Sequence, residues 1–180
     1  MHSVLSKAVC YELGRIAGLL NQKKIGLFPC DTVWGLVGCA YTTVGAEINR
    51  LKNRPESQPL IQLIGDVSAV PTDCLTPAHT RLMQQYWPGP VTLILPTPSG
   101  GIAYRQPDFE PLNYLLAQLE RPLYSTSVNV TGESASVNTL EIPAAWERFL
   151  AFCFTGLSPG GGQASGILDT TQVPFTWIRH

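Results

Sequence analysis

The sequence lacks several signatures that would assign it to a common class of protein. No stretch approaches the roughly 20 consecutive apolar residues of a membrane-spanning helix. The opening stretch MHSVLSKAVCYELGRIAGLLNQKK has no basic head, apolar run and small-residue cleavage site of an export signal. The five cysteines are odd in number and form no CxxC pair, which indicates neither a disulfide framework nor a zinc site. We therefore expect a cytoplasmic protein without a membrane anchor.

Catalytic motifs with a fixed spacing are also missing. The sequence contains no HExxH, no GxSxG, no GxxxxGK[ST], and no GxGxxG after a predicted strand. The three histidines, His2, His79 and His180, are far apart, so we do not expect a histidine general base. A reaction would then depend on positioning the substrates and stabilising negative charge. Because the sequence has no tight carboxylate cluster, we predict no dedicated metal ligands.

Charged residues are few and nearly balanced. They make up 14% of the 180 residues and give a formal net charge of -1. Binding to phosphate backbones or anionic membranes draws on clustered Lys and Arg, so this composition gives no general attraction to either. A hydrophobic content of 44% is enough for one sizeable core. No linker or repeat divides the chain, and we predict a single domain over residues 1–180.

Hydrophobic periodicity predicts helices and strands in alternation. Apolar residues at spacings of three and four predict helices over 7–22, 44–51, 79–87, 112–119 and 140–149. Short apolar runs predict strands over 25–28, 60–64, 91–95, 102–105 and 122–126, and near 152, 167 and 175–178. This order is typical of an α/β protein with a twisted mixed sheet and helices on its faces.

Three polar stretches interrupt this core. In the loop PCDTVWGL, Asp31 and Thr32 follow a strand, at the end where α/β sheets place ligands. Capping of the next turn explains the same two residues equally well. In LKNRPESQPL, Lys52 and Arg54 could converge on one anion. A solvated helix end would explain that pair on its own.

The third polar stretch is STSVNVTG. Its hydroxyls and the amide of Asn129 suit a polar ligand with several oxygens, although an ordinary Ser/Thr turn is an alternative. The glycosylation signal formed by Asn129 and Thr131 requires export, which we do not expect. A similar turn follows at GGGQASGILD, where Gly160 to Gly162 have the backbone freedom for close approach to a ligand.

Taken together, these stretches resemble the YrdC-like family of threonylcarbamoyl-AMP synthases, which act in the modification of tRNA at adenosine 37. Members typically show P-T-[DE]-T-V-Y-G-L, K-x-R-P-x-x-x-P-L-I, W-P-G-P-[LV]-T-L, an Arg ending a following strand, S-A-N-x-S-G and S-T-[VI]-x-D. This chain reads PCDTVWGL, KNRPESQPLI, WPGPVTLIL, YRQP, STSVNVTG and SGILD in the same order. The similarity covers nearly the whole chain and is closest to the short bacterial type. Departures from the family pattern occur at Cys30, Trp34, Gln58, Leu63, Val128 and Gly166.

The resemblance implies a fold and a reaction. The fold is a single twisted α/β domain with a concave basic groove. The reaction is that of a nucleotidyltransferase, in which L-threonine, bicarbonate and ATP give threonylcarbamoyl-adenylate and pyrophosphate. Mg²⁺ would be bound through the ATP phosphates. The tRNA would be reached indirectly, through the downstream threonylcarbamoyl-transfer machinery.

The resemblance also assigns residues to the site by position. The residues expected at the threonine are Thr32, Arg105 and Ser127. The residues expected at the ATP are Lys52, Arg54, Asn129 and Ser165, with Ser125 near enough to serve either substrate. Lys52 and Arg54 would assist catalysis by offsetting the charge of ATP. Arg105 is suited to a two-pronged grip on the threonine carboxylate.

Two other functions remain open from the sequence. An RNA-binding module that acts on tRNA or ribosomes without catalysis would need a broad basic face and exposed aromatic residues. A divergent carbamoyl-adenylate-forming enzyme is the second alternative, because related domains of hydrogenase maturation use carbamoyl phosphate in place of threonine.

Overall fold

The computed structural model describes residues 5–128 and 142–180. The helices are α1 (Lys7–Asn21), α2 (Thr42–Leu51), α3 (Pro77–Tyr86) and α4 (Glu110–Leu116). The strands are β1 (Ile25–Pro29), β2 (Trp34–Cys39), β3 (Ile61–Leu63), β4 (Val91–Thr97), β5 (Gly100–Arg105), β6 (Leu123–Ser127), β7 (Leu150–Cys153), β8 (Gly166–Asp169) and β9 (Thr176–Arg179). In this part of the chain, no helix combines the length and apolar character needed to cross a bilayer.

The nine described strands form one mixed sheet. Their order is β7-β1-β2-β6-β3-β5-β4-β8-β9. The pairs β1–β7, β3–β5 and β4–β8 are parallel, and the other five neighbouring pairs are antiparallel. With helices packed against this sheet, the predicted α/β class with a mixed sheet is confirmed.

The buried face of α1 follows from its sequence. Leu13, Ile16, Ala17 and Leu20 are buried, and their spacing of three and four residues places them on one side of the helix. The hydroxyl of Ser6 accepts a hydrogen bond from the N–H of Val9 at 3.3 Å, which satisfies one of the unpaired donors at the helix start.

Helices cover both faces of the central strands. Residues of α1 and α4 pack in one hydrophobic cluster with Phe28, whereas α2 packs in a second cluster with Leu27. Since successive side chains of a strand point to opposite faces, β1 is buried on both sides, and all five of its residues are buried. A third cluster joins Leu82 and Met83 of α3 to Leu93 of β4.

Two predictions of local structure were wrong. The sequence predicts a loop over the whole stretch PCDTVWGL, but β2 begins at Trp34. The helix predicted over 140–149 is absent from the described residues 142–149, which form turns and one 3-10 turn at Glu147–Phe149. There the N–H of Trp146 donates to the carbonyl of Pro143 at 2.8 Å, a three-residue span instead of the four of an α-helix. Residues 140 and 141 lie outside the described part of the chain.

Candidate active site

Six of the eight predicted site residues line one cavity of about 240 Å³, which we call the site cavity. These six are Thr32, Arg54, Arg105, Ser125, Ser127 and Ser165. Lys52 is not among the described lining residues but contacts Ser127, which is one of them, and Asn129 lies outside the described residues. The fold therefore brings together side chains that are as much as 133 positions apart, from Thr32 to Ser165.

The site cavity is strongly cationic. Arg54, Arg105 and Arg179 line it, and its described lining contains no Asp or Glu. Burial lowers the pKa of Arg179, and the charge of Arg105 lowers it further. Because like charges repel, an anion bound between these arginines would be stabilised, even though Asp31 partly offsets the charge of Arg105. The cavity is thus suited to a negatively charged ligand.

Arg179 is a site residue that the sequence analysis missed. It ends β9, and its Nε donates to the carbonyl of Ser165 at 2.7 Å. Its Nη2 also donates to the Ser165 hydroxyl at 3.4 Å. The same hydroxyl lies 3.0 Å from Oγ1 of Thr92. These contacts fix Ser165 at the cavity wall, and the only signal in the sequence was one cation in the short strand TWIR.

Arg105 forms a buried ion pair with Asp31. Its Nη1 lies 2.9 Å from each carboxylate oxygen and donates a hydrogen bond to Oδ2. A weaker contact of 3.4 Å joins Nη1 to the hydroxyl of Thr32. The buried Nε of Arg105 has no hydrogen-bond partner among the described residues. Burial raises the pKa of Asp31, and the charge of Arg105 opposes that rise.

Ser125 and Ser127 belong to β6, which ends at Ser127. Ser127 pairs with Gly35 of β2, and Ser125 pairs with Val37. A Cβ on Gly35 would lie 2.9 Å from the Ser125 hydroxyl, so a glycine is required beside this serine. The hydroxyl of Ser125 is 3.9 Å from the thiol of Cys30. Burial raises the pKa of Cys30 to about 11, which keeps the thiol protonated and excludes it as a nucleophile at neutral pH.

Lys52 is buried directly after α2. Only 1% of it is exposed, and its Nζ donates to the carbonyl of Ser127 at 2.8 Å. The amine also lies over the ring of Trp146, 5.7 Å from its centre. Burial lowers the pKa of Lys52 to about 8, with a further contribution from the charge of Arg54. Lys52 therefore supports the end of β6 at Ser127, a residue that lines the site cavity.

Arg54 is held at the mouth of the site cavity by its own loop. Its N–H donates to the carbonyl of Asn49 at 2.9 Å, and its Nη1 lies 3.5 Å from the Thr126 hydroxyl. The side chain of Asn49 donates to the carbonyls of Glu56 and Gln58 at 3.0 and 2.8 Å. These bonds tie the loop after α2 to the helix, so the backbone of Arg54 is fixed.

The glycines of GGGQASGILD approach the chain's own backbone. The N–H of Gly160 donates to the carbonyl of Cys30 at 3.0 Å, and that of Gly162 donates to the carbonyl of Thr32 at 2.8 Å. A Cβ on Gly160 or Gly161 would lie 2.9 Å from the carbonyl oxygen of Asp31. We call this contact the glycine clamp. It fixes the loop that carries Asp31 and Thr32.

A second cavity of about 490 Å³ adjoins the first and shares Thr32 and Ala164 with it. Asp31, Asp108 and Trp177 also line this second cavity. Within the described residues, no group of three or more His, Cys, Asp and Glu side chains is placed to hold a metal ion.

The chain is similar to known proteins over most of its length. The Sua5/YciO/YrdC family model, described as telomere recombination, matches residues 18–180. The threonylcarbamoyl-AMP synthase of Bacillus subtilis is 28% identical over 174 residues, which cover 88% of this chain and 49% of the relative. The human threonylcarbamoyl-AMP synthase is 33% identical over 150 residues, covering 76% and 52%. The chain thus spans about half the length of these curated relatives.

A solved structure is similar over most of the chain. The structure of Pyrococcus abyssi Sua5 complexed with L-threonine matches this chain with a TM-score of 0.73 and 25% sequence identity. The match covers 94% of this chain and 54% of the Sua5 chain.

Proposed function

Because this chain belongs to the Sua5/YciO/YrdC family, as its motifs indicated, we propose that it is an L-threonylcarbamoyladenylate synthase. In this reaction L-threonine, bicarbonate and ATP give threonylcarbamoyl-AMP and pyrophosphate. The observation that carries the proposal is the convergence of Arg54, Arg105 and Arg179 on a cavity whose described lining has no carboxylate. Threonine, bicarbonate and ATP each carry at least one anionic group, which this lining would attract. The relatives named threonylcarbamoyl-AMP synthase support the same reaction.

The threonine carboxylate is assigned to Arg105. Nη1 of this arginine is occupied by Asp31, whereas the buried Nε has no partner in the described part of the chain. An arginine edge formed by Nε and Nη2 can donate two parallel bonds to one carboxylate. The hydroxyls of Thr32 and Ser127 line the same cavity and would accept or donate bonds to the remaining polar groups of threonine.

The ATP is assigned to the side of the cavity formed by Arg54, Ser125 and Ser165, with Asn129 predicted beside them. The threonine nitrogen and bicarbonate form a carbamate with loss of water. A carbamate oxygen then attacks the α-phosphorus, and the bond to pyrophosphate breaks. Arg54 would stabilise the charge on the phosphates during this step. Mg²⁺ would also offset phosphate charge. It would be held by the phosphates themselves, since the described lining offers hydroxyls but no carboxylate.

We assign Lys52 a supporting role in catalysis. Its amine contributes positive charge from behind Ser127, whose carbonyl it holds at 2.8 Å. The field of a buried charge is weakly screened, so it can act on the nucleotide without direct contact.

The reaction is expected to depend on pH through Lys52. With the pKa of Lys52 lowered to about 8, the amine is charged below pH 8 and loses its charge as the pH rises above it. The value of kcat/KM for ATP, measured at saturating threonine from pH 6 to pH 10, should therefore fall on the alkaline side. Lys52→Met should remove this alkaline fall. A fall that persists unchanged in Lys52→Met would contradict the assignment.

Pyrophosphate release tests the proposed reaction. The purified protein is given ATP and Mg²⁺, with or without bicarbonate, and with L-threonine, L-serine or no amino acid. We expect release that requires threonine and bicarbonate together and is weaker with serine. Release that is indifferent to both, or no release at all, would overturn the proposal.

We further propose that the product is passed to tRNA-modifying machinery in the cytoplasm, so that this chain contacts tRNA only indirectly. Its formal net charge of -1 offers little attraction to a phosphate backbone. Bare tRNA at physiological salt should bind weakly or not at all in a filter-binding assay. Tight binding without pyrophosphate release would favour an RNA-binding module instead.

A further inference from the structure

The carboxylate of Asp31 lies beside the site cavity, although the arginines of that cavity are suited to anions. The side chain of Asp31 is 8% exposed and that of its partner Arg105 is 4% exposed. Burying an ion pair is seldom favourable for stability, because both charges lose their hydration. We therefore look for a role of this ion pair other than stabilising the fold.

The contacts of Asp31 determine which edge of Arg105 is available. Both carboxylate oxygens lie 2.9 Å from Nη1, and the Thr32 hydroxyl lies 3.4 Å from the same nitrogen. Since the guanidinium is planar and rigid, holding Nη1 also fixes the direction of Nε. Nε is buried and without a hydrogen-bond partner in the described residues, and Arg105 lines the site cavity.

The glycine clamp fixes Asp31 in turn. Backbone hydrogen bonds from Gly160 and Gly162 reach the carbonyls on either side of Asp31, at Cys30 and Thr32. The glycines lie so close to the Asp31 carbonyl that a Cβ on Gly160 would approach it to 2.9 Å. Real Cβ atoms avoid such distances, so the loop would have to move.

We propose that Asp31 is a positioning residue, held by the glycine clamp, which sets the guanidinium plane of Arg105 so that its Nε edge receives the carboxylate of the amino-acid substrate. The inference rests on the proposed function, in which that substrate is threonine. Asp31 acts only through Arg105 and touches none of the reacting atoms.

Asp31→Asn tests this role. It keeps the shape of the side chain but removes the charge that holds Nη1. We expect the KM for threonine to rise about 10- to 100-fold, as for a weakened charge-assisted hydrogen bond. The kcat and the KM for ATP should change little, because the carboxylate contact is the same in the ground and transition states. Asp31→Glu keeps the charge, so its KM for threonine should rise less than that of Asp31→Asn.

Asp108→Asn is the matched control. Asp108 is exposed and lines the second cavity beside Asp31, and the described contacts of Arg105 do not include its side chain. The control removes the same charge close by and should leave the KM for threonine unchanged.

Gly160→Ala tests the clamp independently. We expect it to raise the KM for threonine in the same way as Asp31→Asn, since the added methyl group displaces the Asp31 backbone. Gly18→Ala is its control, because a Cβ on this residue of α1 would meet nothing within 4 Å. An unchanged KM for threonine in Gly160→Ala would overturn the role of the clamp.

Three outcomes would overturn the wider inference, and they can be told apart. Asp31→Asn with the threonine KM of the wild type would remove the positioning role. Equal increases in the KM values for threonine and ATP in Asp31→Asn, together with a lower melting temperature, would mean that the ion pair of Asp31 with Arg105 is only structural. A wild-type protein that shows no threonine-dependent pyrophosphate release would overturn the proposed function, and this inference with it.

Discussion

Arg105→Lys is expected to lower kcat/KM for threonine by about 100-fold, since lysine keeps the charge but cannot form a planar two-pronged contact with a carboxylate. The effect should appear mainly in KM, and the KM for ATP should stay within a few fold of the wild type. Steady-state pyrophosphate release at varied threonine and fixed ATP measures it. A threonine KM equal to that of the wild type would contradict the assignment of Arg105.

The controls for Arg105 separate binding from stability. Arg15→Lys changes an exposed arginine whose ion pair with Glu12 is 2.7 Å long, and it should have no effect on either KM. Arg105→Ala should destabilise the fold by about 3–5 kcal/mol, because it leaves the Asp31 charge buried without its partner. The double substitution Asp31→Asn with Arg105→Ala should recover much of that stability but none of the threonine affinity.

Lys52→Met is expected to reduce activity by at least about 100-fold, as for other groups that stabilise developing charge, with only a small change in the stability of the fold. A pKa lowered to about 8 means that burial and the charge of Arg54 together disfavour the charged amine by about 3 kcal/mol. The hydrogen bond to the Ser127 carbonyl and the contact with the Trp146 ring are lost, and each contributes about 1–2 kcal/mol. Removing the charge should therefore leave the free energy of unfolding within about 2 kcal/mol of the wild type.

Urea unfolding and pyrophosphate release on the same samples test this prediction. Lys24→Met is the matched control, because Lys24 is exposed and lies outside the site cavity. It should leave both quantities near those of the wild type. Loss of several kcal/mol of stability in Lys52→Met would show that Lys52 serves the fold and would contradict its catalytic role.

The sequence predicted those helices and strands in which the buried residues recur at a regular spacing. The face of α1 formed by Leu13, Ile16 and Leu20 is visible in the spacing of its residues alone. The strand β2 was missed because Gly35 and Gly38 lower its apparent strand propensity. The small size of Gly35 is explained by a neighbour far along the chain, since a Cβ on it would lie 2.9 Å from the Ser125 hydroxyl.

The same distinction holds for the site. The motif order indicated six of the residues that line the site cavity, including Arg54 and Arg105. The partner of Arg105 is 74 positions away, at Asp31, and no periodicity connects the two. Arg179 reaches Ser165 across a pair of antiparallel strands at the edge of the sheet. Such contacts depend on the order of the strands in the sheet, which the spacing of residues along the sequence does not determine.

Direct identification of the product tests the central claim. The protein is incubated with ATP, Mg²⁺, L-threonine and ¹³C-labelled bicarbonate, and the nucleotides are analysed by mass spectrometry. We predict a threonine-containing adenylate that carries the label and disappears when threonine or bicarbonate is omitted. Pyrophosphate release with only unlabelled AMP as its nucleotide product would contradict the account.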